Sequence, residues 1–372
     1  MALYYSTLRI ICRTLVIFVI LGTIIFFWPP KLILQDKETS NEIHENHDVN
    51  MNSIQGTQRI YIFVAADDNF EQQNYLQIES IRCYAARHGY IFLIANLDQS
   101  VSCNHHKDFF YKRHCALAAM MENLLEDSII FLFDSDVVVA LLDVPLDHWI
   151  VQKHDIAFYE REFSGEITAG SYQVRNNKDA RDFLKNWAEL EFTKPDGFHS
   201  SDNGAIHVAL LKTFDLGDDC IRSFYELDDD VQHLNSFFRV IYCARIALGM
   251  GSFEDGEGLG MPKFRNDNTQ FRKEGINWIS ENLSVRIHPR NHAWMRDWAP
   301  GLPVVLRKEA IKNNRKTISA TPIFFHGVKK QYVLFDYWEI KNMTQDMNEA
   351  TSKYSLYPRC ENKQIKLFAG VA

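Results

Sequence analysis

The chain has 372 residues, of which 46% are hydrophobic and 24% are charged, a composition that supports a folded globular protein. Its formal net charge at pH 7 is −8, and its lysines and arginines form no basic stripe. A nucleic-acid partner is therefore disfavoured.

The N-terminal segment contains a long apolar run. An uncharged stretch extends from Thr14 to Pro30, and Arg9 and Arg13 precede it. The stretch is slightly shorter than the ~20 residues of a full membrane span, but long side chains such as Lys31 extend a span by reaching the interface. No small-residue cleavage site follows, so we expect an uncleaved transmembrane signal anchor at 14–30 and a cytoplasmic tail at 1–13.

The rest of the chain is expected on the lumenal side. Residues 31–58 are polar and predict a flexible stem, and residues 59–372 are expected to form the folded domain. Asn282 and Asn342 begin N-glycosylation sequons, which are weak signals individually. Six cysteines outside the anchor either form disulfides or are buried thiols. They are Cys83, Cys103, Cys115, Cys220, Cys243 and Cys360.

Strands and helices alternate in the first part of the domain. "RIYIFVAADD" from Arg59 predicts a strand and the loop after it, and the apolar period from Gln72 to His88 predicts a helix that Gly89 ends. "YIFLIANL" predicts a second strand, 109–125 a second helix, and "SIIFLFD" a third strand. This order predicts a parallel or mixed sheet with helices on both faces.

Further elements follow in the next part. "DIAFYE" and "GSYQVR" predict strands, and "NKDARDFLKNWAELE" predicts an amphipathic helix with Asn177 as its N-cap. "SSDNGAIHVALLKTF" predicts a helix that begins near Ser201 or Asp202. The pattern is less regular after Phe214, and no second-domain boundary is evident.

Two aspartates interrupt the third predicted strand. Asp134 and Asp136 stand in "SIIFLFDSDVVVA", with Ser135 between them. A buried carboxylate requires compensation, so the candidates are a strand-end turn, a salt bridge or a metal ion. Carboxylates one residue apart project to the same side of an extended segment and can approach one hard cation, Mg²⁺ or Mn²⁺. Asp67 and Asp68 follow the first strand, and ligands bind at the carboxyl ends of strands in such sheets.

These motifs together resemble a known family. "VAADDNFEQQNYLQIESI", "FFYKRHCAL", "IIFLFDSDVVV" and "FFHGVKK" are similar in order to motifs of GT-A glycosyltransferases, in particular the retaining galactosyl/glucosyltransferase (glycogenin-like) group. The body also resembles a nematode-expanded family of type II membrane glycosyltransferases. The resemblance covers about 59–330 and implies an α/β GT-A (Rossmann-like) nucleotide-diphospho-sugar transferase fold with a central mixed, mostly parallel sheet.

The resemblance implies roles in binding the donor, a UDP-sugar. Ala65, Asp67 and Asn69 would contact the base or ribose; the alternative for the last two is a turn. Arg113 would lie near the phosphates or sugar; the alternative is a helix-surface cation. Ser135 lies within the donor-binding motif.

The resemblance also implies a metal site. Asp134 and Asp136 would bind Mn²⁺ or Mg²⁺, and His326 would be the third protein ligand. Lys329 or Lys330 would hold the diphosphate. The sequence departs from the family because glycine directly follows the histidine and no proline–tryptophan pair follows the lysines. His288 is the second candidate for the ligand, and a purely structural histidine is a further alternative.

Candidates for the sugar-facing catalytic residues are Asp202 and Asn203. The "TAG" of "TAGSYQVR" carries Thr168 where the family has asparagine, and "SDNGA" stands where it has an aspartate–glutamine pair. The alternative for Asp202 and Asn203 is an N-cap at a helix start.

The resemblance implies transfer of a hexose from a UDP-sugar to a glycan, glycoprotein or glycolipid, with retention of configuration, by a Golgi or ER membrane enzyme. Two alternatives remain. The fold could serve a degenerate, non-catalytic lumenal binding protein or chaperone, or the site could belong to another metal-dependent enzyme such as a phosphodiesterase. Neither the donor sugar nor the acceptor follows from the sequence.

Overall fold

A computed structural model describes eleven stretches of the chain. These are residues 59–139, 141–142, 144–161, 164–198, 200–227, 233–251, 254–255, 262–263, 268–297, 323–327 and 365–367. The predicted anchor and stem, Asn342, Cys360, Lys329 and Lys330 lie outside them. Within these stretches, no helix has the length and apolarity needed to cross a membrane.

The described strands fall into three sheets. Their bounds are β1 Ile60–Ala66, β2 Ile91–Asn96, β3 Ile129–Asp134, β4 Val138–Val139, β5 Ile156–Tyr159, β6 Ser171–Arg175, β7 Glu254–Asp255, β8 Pro262–Lys263, β9 Ile276–Ile279, β10 Ser284–His288, β11 Met295–Asp297, β12 Phe324–His326 and β13 Ile365–Leu367.

The helices lie between these strands along the chain. Their bounds are α1 Asp68–Gln73, α2 Tyr75–His88, α3 Phe109–Met121, α4 Lys178–Ala188, α5 Leu190–Thr193, α6 Asp202–Phe214, α7 Asp218–Tyr225, α8 His233–Ala247 and α9 Thr269–Glu274, with short 3₁₀ turns at Leu97–Gln99 and Leu146–Trp149.

The main sheet is mixed, as the sequence predicts. Its strand order is β13-β2-β1-β3-β6-β5-β10-β9. Strands β13, β2, β1 and β3 are parallel neighbours; β6 runs against both β3 and β5, and β10 is parallel to β5. The carboxyl ends of β1, β3, β5 and β10 therefore lie at the same edge of the sheet, where ligands bind in α/β folds.

The central strands are apolar throughout because both faces of the sheet are covered. In β1, Phe63 packs on one side among residues of α3, α4 and α6, while Val64 packs on the other side with residues of α2. The same alternation places Leu132 and Phe133 of β3 on opposite faces. This arrangement confirms the inference of a doubly covered sheet from continuous apolar runs.

The helix predicted over 72–88 differs in its start. The structure has two helices, α1 and α2, which meet at Asn74. Asp67 caps α1, its Oδ1 accepting from the backbone N–H of Phe70 at 2.6 Å. Asn74 is buried and donates from Nδ2 to Oγ of Ser135 at 2.9 Å, so its side chain serves the turn after β3. Gly89, with φ 72°, ends α2 as predicted.

Among the residues that the structure describes, two disulfides join four of these cysteines. Cys103 pairs with Cys115, and Cys220 pairs with Cys243. Cys83 is also disulfide-bonded. The first bridge ties the segment before α3 to that helix, and the second ties α7 to α8.

Candidate metal centre

The two aspartates lie at a turn on the edge of the sheet. Asp134 is the last residue of β3, and its carbonyl accepts from the backbone N–H of Val137 at 3.2 Å. The side chains of Asp134 and Asp136 are 22% and 17% exposed, so both can reach a ligand from outside the core. The turn places both carboxylates at the carboxyl end of the buried strand β3.

The small second sheet brings His326 to this turn. After the turn the chain enters β4, which pairs antiparallel with β12, and β12 ends at His326. Nε2 of His326 lies 3.1 Å from Oδ2 of Asp134 and 3.6 Å from Oδ1 of Asp136. Ligand atoms from the three residues lie within 4.8 Å of one another.

This donor set fits a divalent metal. Two carboxylate oxygens and one imidazole nitrogen suit Mn²⁺, and the carboxylates also suit Mg²⁺. Gly170 leaves room beside them: a Cβ there would overlap Oδ2 of Asp134 and lie 2.9 Å from Nε2 of His326. Gly170 is the last residue of the "TAG" segment, so a residue without a side chain borders the candidate metal ligands.

Without a metal, the carboxylates around the His326 ring favour its positively charged form, in which both nitrogens carry a proton. Burial opposes charge on the ring, but hydrogen bonds to Asp134 and Asp297 and the charge of Asp136 raise the pKa of His326 to about 10. A metal that binds through Nε2 must displace this proton. Burial also opposes charge on Asp134, yet Arg113 and His326 hold the pKa of that carboxyl below its ordinary value.

Arg113 is a buried cation that joins two carboxylates. It projects from α3, is 1% exposed, and pairs with Oδ1 of Asp134 through Nη1. Its Nε donates to Oδ2 of Asp202 at 2.9 Å. Although burial opposes charge, the two aspartates raise the pKa of Arg113 further above its ordinary value. The alternative of a helix-surface cation is therefore wrong.

Asp202 lies in a buried polar network instead of capping a helix. It is the first residue of α6, it is fully buried, and its Oδ2 also meets Nε2 of His114 at 2.9 Å. His114 stacks on Trp187 with ring centroids 3.6 Å apart and bonds Tyr172 Oη through Nδ1 at 2.9 Å. Burial lowers the pKa of His114 to about 4, so the ring is neutral at pH 7.

Other residues predicted for the donor have different surroundings. Asn203 accepts from the backbone N–H of Ala169 at 2.9 Å, which joins α6 to the "TAG" segment. Ala65 is buried in β1 and pairs directly with Asp134 of β3. Asp67 caps α1, as in the turn alternative. Asn69 is exposed and bonded to Gln73 at 2.7 Å.

Neither His288 nor the group formed by His105, His106 and Cys115 provides a competing metal site among the described residues. His288, the second candidate, lies at the end of β10, and burial lowers its pKa to about 3; it is not among the residues grouped with Asp134 and Asp136. His105, His106 and Cys115 also lie close together, but Cys115 is in a disulfide and has no thiolate to offer. Lys329 and Lys330 lie outside the described residues.

The sequence missed the residues that hold the turn and the arginine network. Asn74 supports Ser135, and His114 supports Asp202. Neither has a sequence signal, because each acts through a partner at least 61 residues away along the chain.

Similarity to known proteins is coarse. A family model described as "Protein of unknown function, DUF273" matches residues 81–254. No curated protein matches the chain.

Solved structures similar to this chain include glycosyltransferases. One is a glycosyltransferase involved in glycosylation of the major capsid of PBCV-1, at 17% identity, covering 42% of this chain and 78% of that one, with a TM-score of 0.35. Another is the apo-form glycosyltransferase GlyE of Streptococcus pneumoniae TIGR4, at 17% identity, covering 42% and 44%, with a TM-score of 0.31. The galactosyltransferase LgtC, in complex with donor and acceptor sugar analogues, matches at 11% identity, covering 72% and 86%, with a TM-score of 0.27. All three identities are below 25% and all three TM-scores are below 0.5.

Proposed function

We propose that this protein is a glycosyltransferase of the GT-A type that moves a hexose from a UDP-sugar to a glycan, glycoprotein or glycolipid. The observation that carries the proposal is the group formed by Asp134, Asp136 and His326 at the carboxyl edge of the main sheet. Two carboxylates and an imidazole at that edge suit a divalent ion that binds a diphosphate.

Asp134, Asp136 and His326 would hold Mn²⁺ or Mg²⁺. When bound, such an ion supplies Lewis-acid stabilisation of the charge that develops on the leaving diphosphate. Arg113 fixes one carboxylate oxygen of Asp134, and the Asn74–Ser135 hydrogen bond of 2.9 Å fixes the turn between the ligands. The chain thereby holds the ligands in place before the donor arrives, which lowers the cost of reorganisation.

The donor sugar would lie beside Asp202 and Asn203. Arg113 bonds both Asp202 and Asp134, so Asp202 lies close to the candidate metal ligands, which supports this proposal. Its Oδ1 is buried and has no hydrogen-bond partner among the described residues. Because Asp202 is fully buried and its Oδ2 is held by Arg113 and His114, it would act on the donor by fixing Arg113 beside Asp134. We further propose retention of configuration, which product NMR at the anomeric carbon tests directly.

The cellular setting we propose is the Golgi or ER lumen, with residues 14–30 as a single-pass type II anchor. The Cys103–Cys115 and Cys220–Cys243 disulfides are typical of an oxidising compartment and support a lumenal domain. Asn282 is exposed in the turn between β9 and β10 and is accessible to an N-glycan.

The test is metal-dependent hydrolysis of a panel of UDP-sugars by the wild-type protein and by Asp136→Asn. We expect the wild type to hydrolyse at least one donor with Mn²⁺ present, and Asp136→Asn to lose most of that activity. Asp98→Asn, on an exposed turn after β2, is the matched control and should behave as wild type.

Three outcomes would count against the proposed metal-dependent glycosyltransferase. Equal activity of wild type and Asp136→Asn would overturn the metal assignment. Binding of a UDP-sugar without hydrolysis or transfer would indicate the non-catalytic binding protein. Turnover of a phosphodiester in place of a UDP-sugar would indicate the phosphodiesterase.

A further inference from the structure

His326 has a second ring nitrogen, and Asp297 faces it. Nδ1 of His326 lies 3.4 Å from Oδ1 of Asp297. The two residues are direct partners in the parallel pairing of β11 with β12, so the backbone fixes their separation. The Asp297 side chain is 7% exposed, which makes it a third carboxylate beside a centre that already holds Asp134 and Asp136.

A third buried carboxylate beside two others is costly unless cations compensate it. Arg161 approaches the same oxygen that faces His326, with Nε 3.6 Å from Oδ1 of Asp297. Arg161 is held in turn by Glu166, whose Oε2 lies 3.4 Å from Nη1 and whose carbonyl accepts from the Arg161 backbone N–H at 2.7 Å. Glu166, Arg161, Asp297 and His326 therefore form a chain of successive contacts, and His326 is the member that belongs to the candidate metal site.

The contact with Asp297 determines which ring nitrogen of His326 carries the proton. A neutral imidazole binds a metal through one nitrogen only when the other nitrogen carries the proton. An ionised carboxylate accepts hydrogen bonds and cannot donate them. Asp297 therefore favours the tautomer with the proton on Nδ1, and the lone pair of Nε2 then points toward Asp134 and Asp136.

We propose that Asp297 is a positioning residue for the metal centre, which orients His326 and sets its tautomer through Nδ1. This inference rests on the proposed function to the extent that it requires a metal at Asp134, Asp136 and His326. Carboxylate–histidine pairs of this kind raise metal affinity, and losing the outer partner weakens binding by about 10–100-fold.

The sequence does not predict this role. Asp297 stands in the aromatic-rich segment "NHAWMRDWAPG" and precedes His326 by 29 residues. Only the parallel pairing of two three-residue strands brings the carboxylate to the ring.

The experiment measures Mn²⁺ affinity by EPR titration of the purified full chain, without turnover. We expect Asp297→Ala to weaken binding by about 10–100-fold. Asp297→Asn keeps an accepting oxygen of the same size and should retain part of the affinity. Glu166→Gln is the matched control, because it removes one negative charge from the same chain of contacts and leaves the Asp297–His326 pair intact.

A second readout reports the tautomer. With a diamagnetic metal such as Mg²⁺ or Zn²⁺ bound, ¹⁵N NMR of the histidine rings should show His326 protonated on Nδ1 in the wild type. The Nδ1–H signal should be lost or exchange-broadened in Asp297→Ala. A merely structural role for Asp297, as the partner of Arg161, would leave this signal unchanged.

The outcomes are distinguishable. Absence of any metal binding by the wild type overturns the metal site and this inference together. Metal binding by the wild type with unchanged affinity in Asp297→Ala and Asp297→Asn overturns this inference alone. Equal weakening by Glu166→Gln and Asp297→Asn also overturns it, because general electrostatics would then account for the effect.

Discussion

Gly170 contacts Asp134 at the edge of the sheet through both its backbone and its Cα. The backbone N–H of Asp134 donates to the carbonyl of Gly170 at 2.8 Å, and the Cα of Gly170 faces the Asp134 carboxylate so closely that a Cβ would overlap Oδ2. The glycine thereby keeps open the space in which the two candidate metal ligands Asp134 and His326 meet.

We expect Gly170→Ala to weaken Mn²⁺ binding by at least about tenfold, since a displaced ligand loses its alignment. The added methyl group must push aside Oδ2 of Asp134 or the His326 ring. Isothermal titration with Mn²⁺ measures the effect. Gly89→Ala is the control: its methyl group meets open space at φ 72°, so it should cost about 1 kcal/mol of stability and leave metal affinity unchanged. Wild-type affinity in Gly170→Ala would contradict the crowding.

Arg113→Met should destabilise the fold strongly. It leaves Asp134 and Asp202 without their shared buried cation, and breaking a buried ion pair from one side costs about 3–5 kcal/mol. Urea unfolding at pH 7 measures the loss. Lys185→Met removes an exposed pair with Glu122 at 2.6 Å, and we expect a loss of about 0–1 kcal/mol. A similar loss in both variants would show that the buried bridge contributes little.

The stability of the domain should fall in mild acid through His207. Burial, and then the charge of Arg245, lower the pKa of His207 to about 3 from an ordinary value of 6.5. The unfolded chain therefore binds a proton that the folded protein refuses. The stabilisation is complete above pH 6.5 and is lost as the pH falls toward 3. Between pH 7 and 5 this single ring accounts for a loss of about 2 kcal/mol.

Urea unfolding at pH 7 and pH 5 tests the role of His207. His207→Gln should reduce the loss of stability between the two pH values, whatever its own cost at pH 7. His148→Gln, at an exposed histidine, should keep the wild-type difference. If His207→Gln and the wild type lose the same amount, the ring is not the group that titrates.

A glycan at Asn282 is expected when the protein is made in a secretory pathway. Asn282 is exposed in a tight turn in which the Ser280 N–H donates to the Leu283 carbonyl at 2.9 Å. Enzymatic deglycosylation in heavy-oxygen water, followed by mass spectrometry, should label this position. Ser284→Thr keeps the sequon and should keep the label, whereas Ser284→Ala should lose it. An unlabelled Asn282 in the wild type would argue against lumenal exposure of this turn.

Local pattern was sufficient to predict the strands that carry the site. "RIYIFVAA" and "IIFLFD" are continuous β-branched and aromatic runs, and such runs are stable only between two covered faces. The caps followed from local chemistry as well: Asn177 accepts from the Ala180 N–H at 2.8 Å, as predicted. The break at Asn74 was not predicted; the Asn74 side chain bonds Ser135, a partner 61 residues away that local pattern does not reveal.

The sequence by itself predicted that two carboxylates stand at the end of a buried strand, since burying them inside the sheet without compensation would be costly. Tertiary structure decided what surrounds them. Arg113 joins Asp134 to Asp202, which lies 89 residues beyond Arg113, and β12 places His326 beside Asp134, 192 residues beyond it. Long-range strand pairing and buried charge compensation have no local period in the chain, so only the folded sheet brings these groups together.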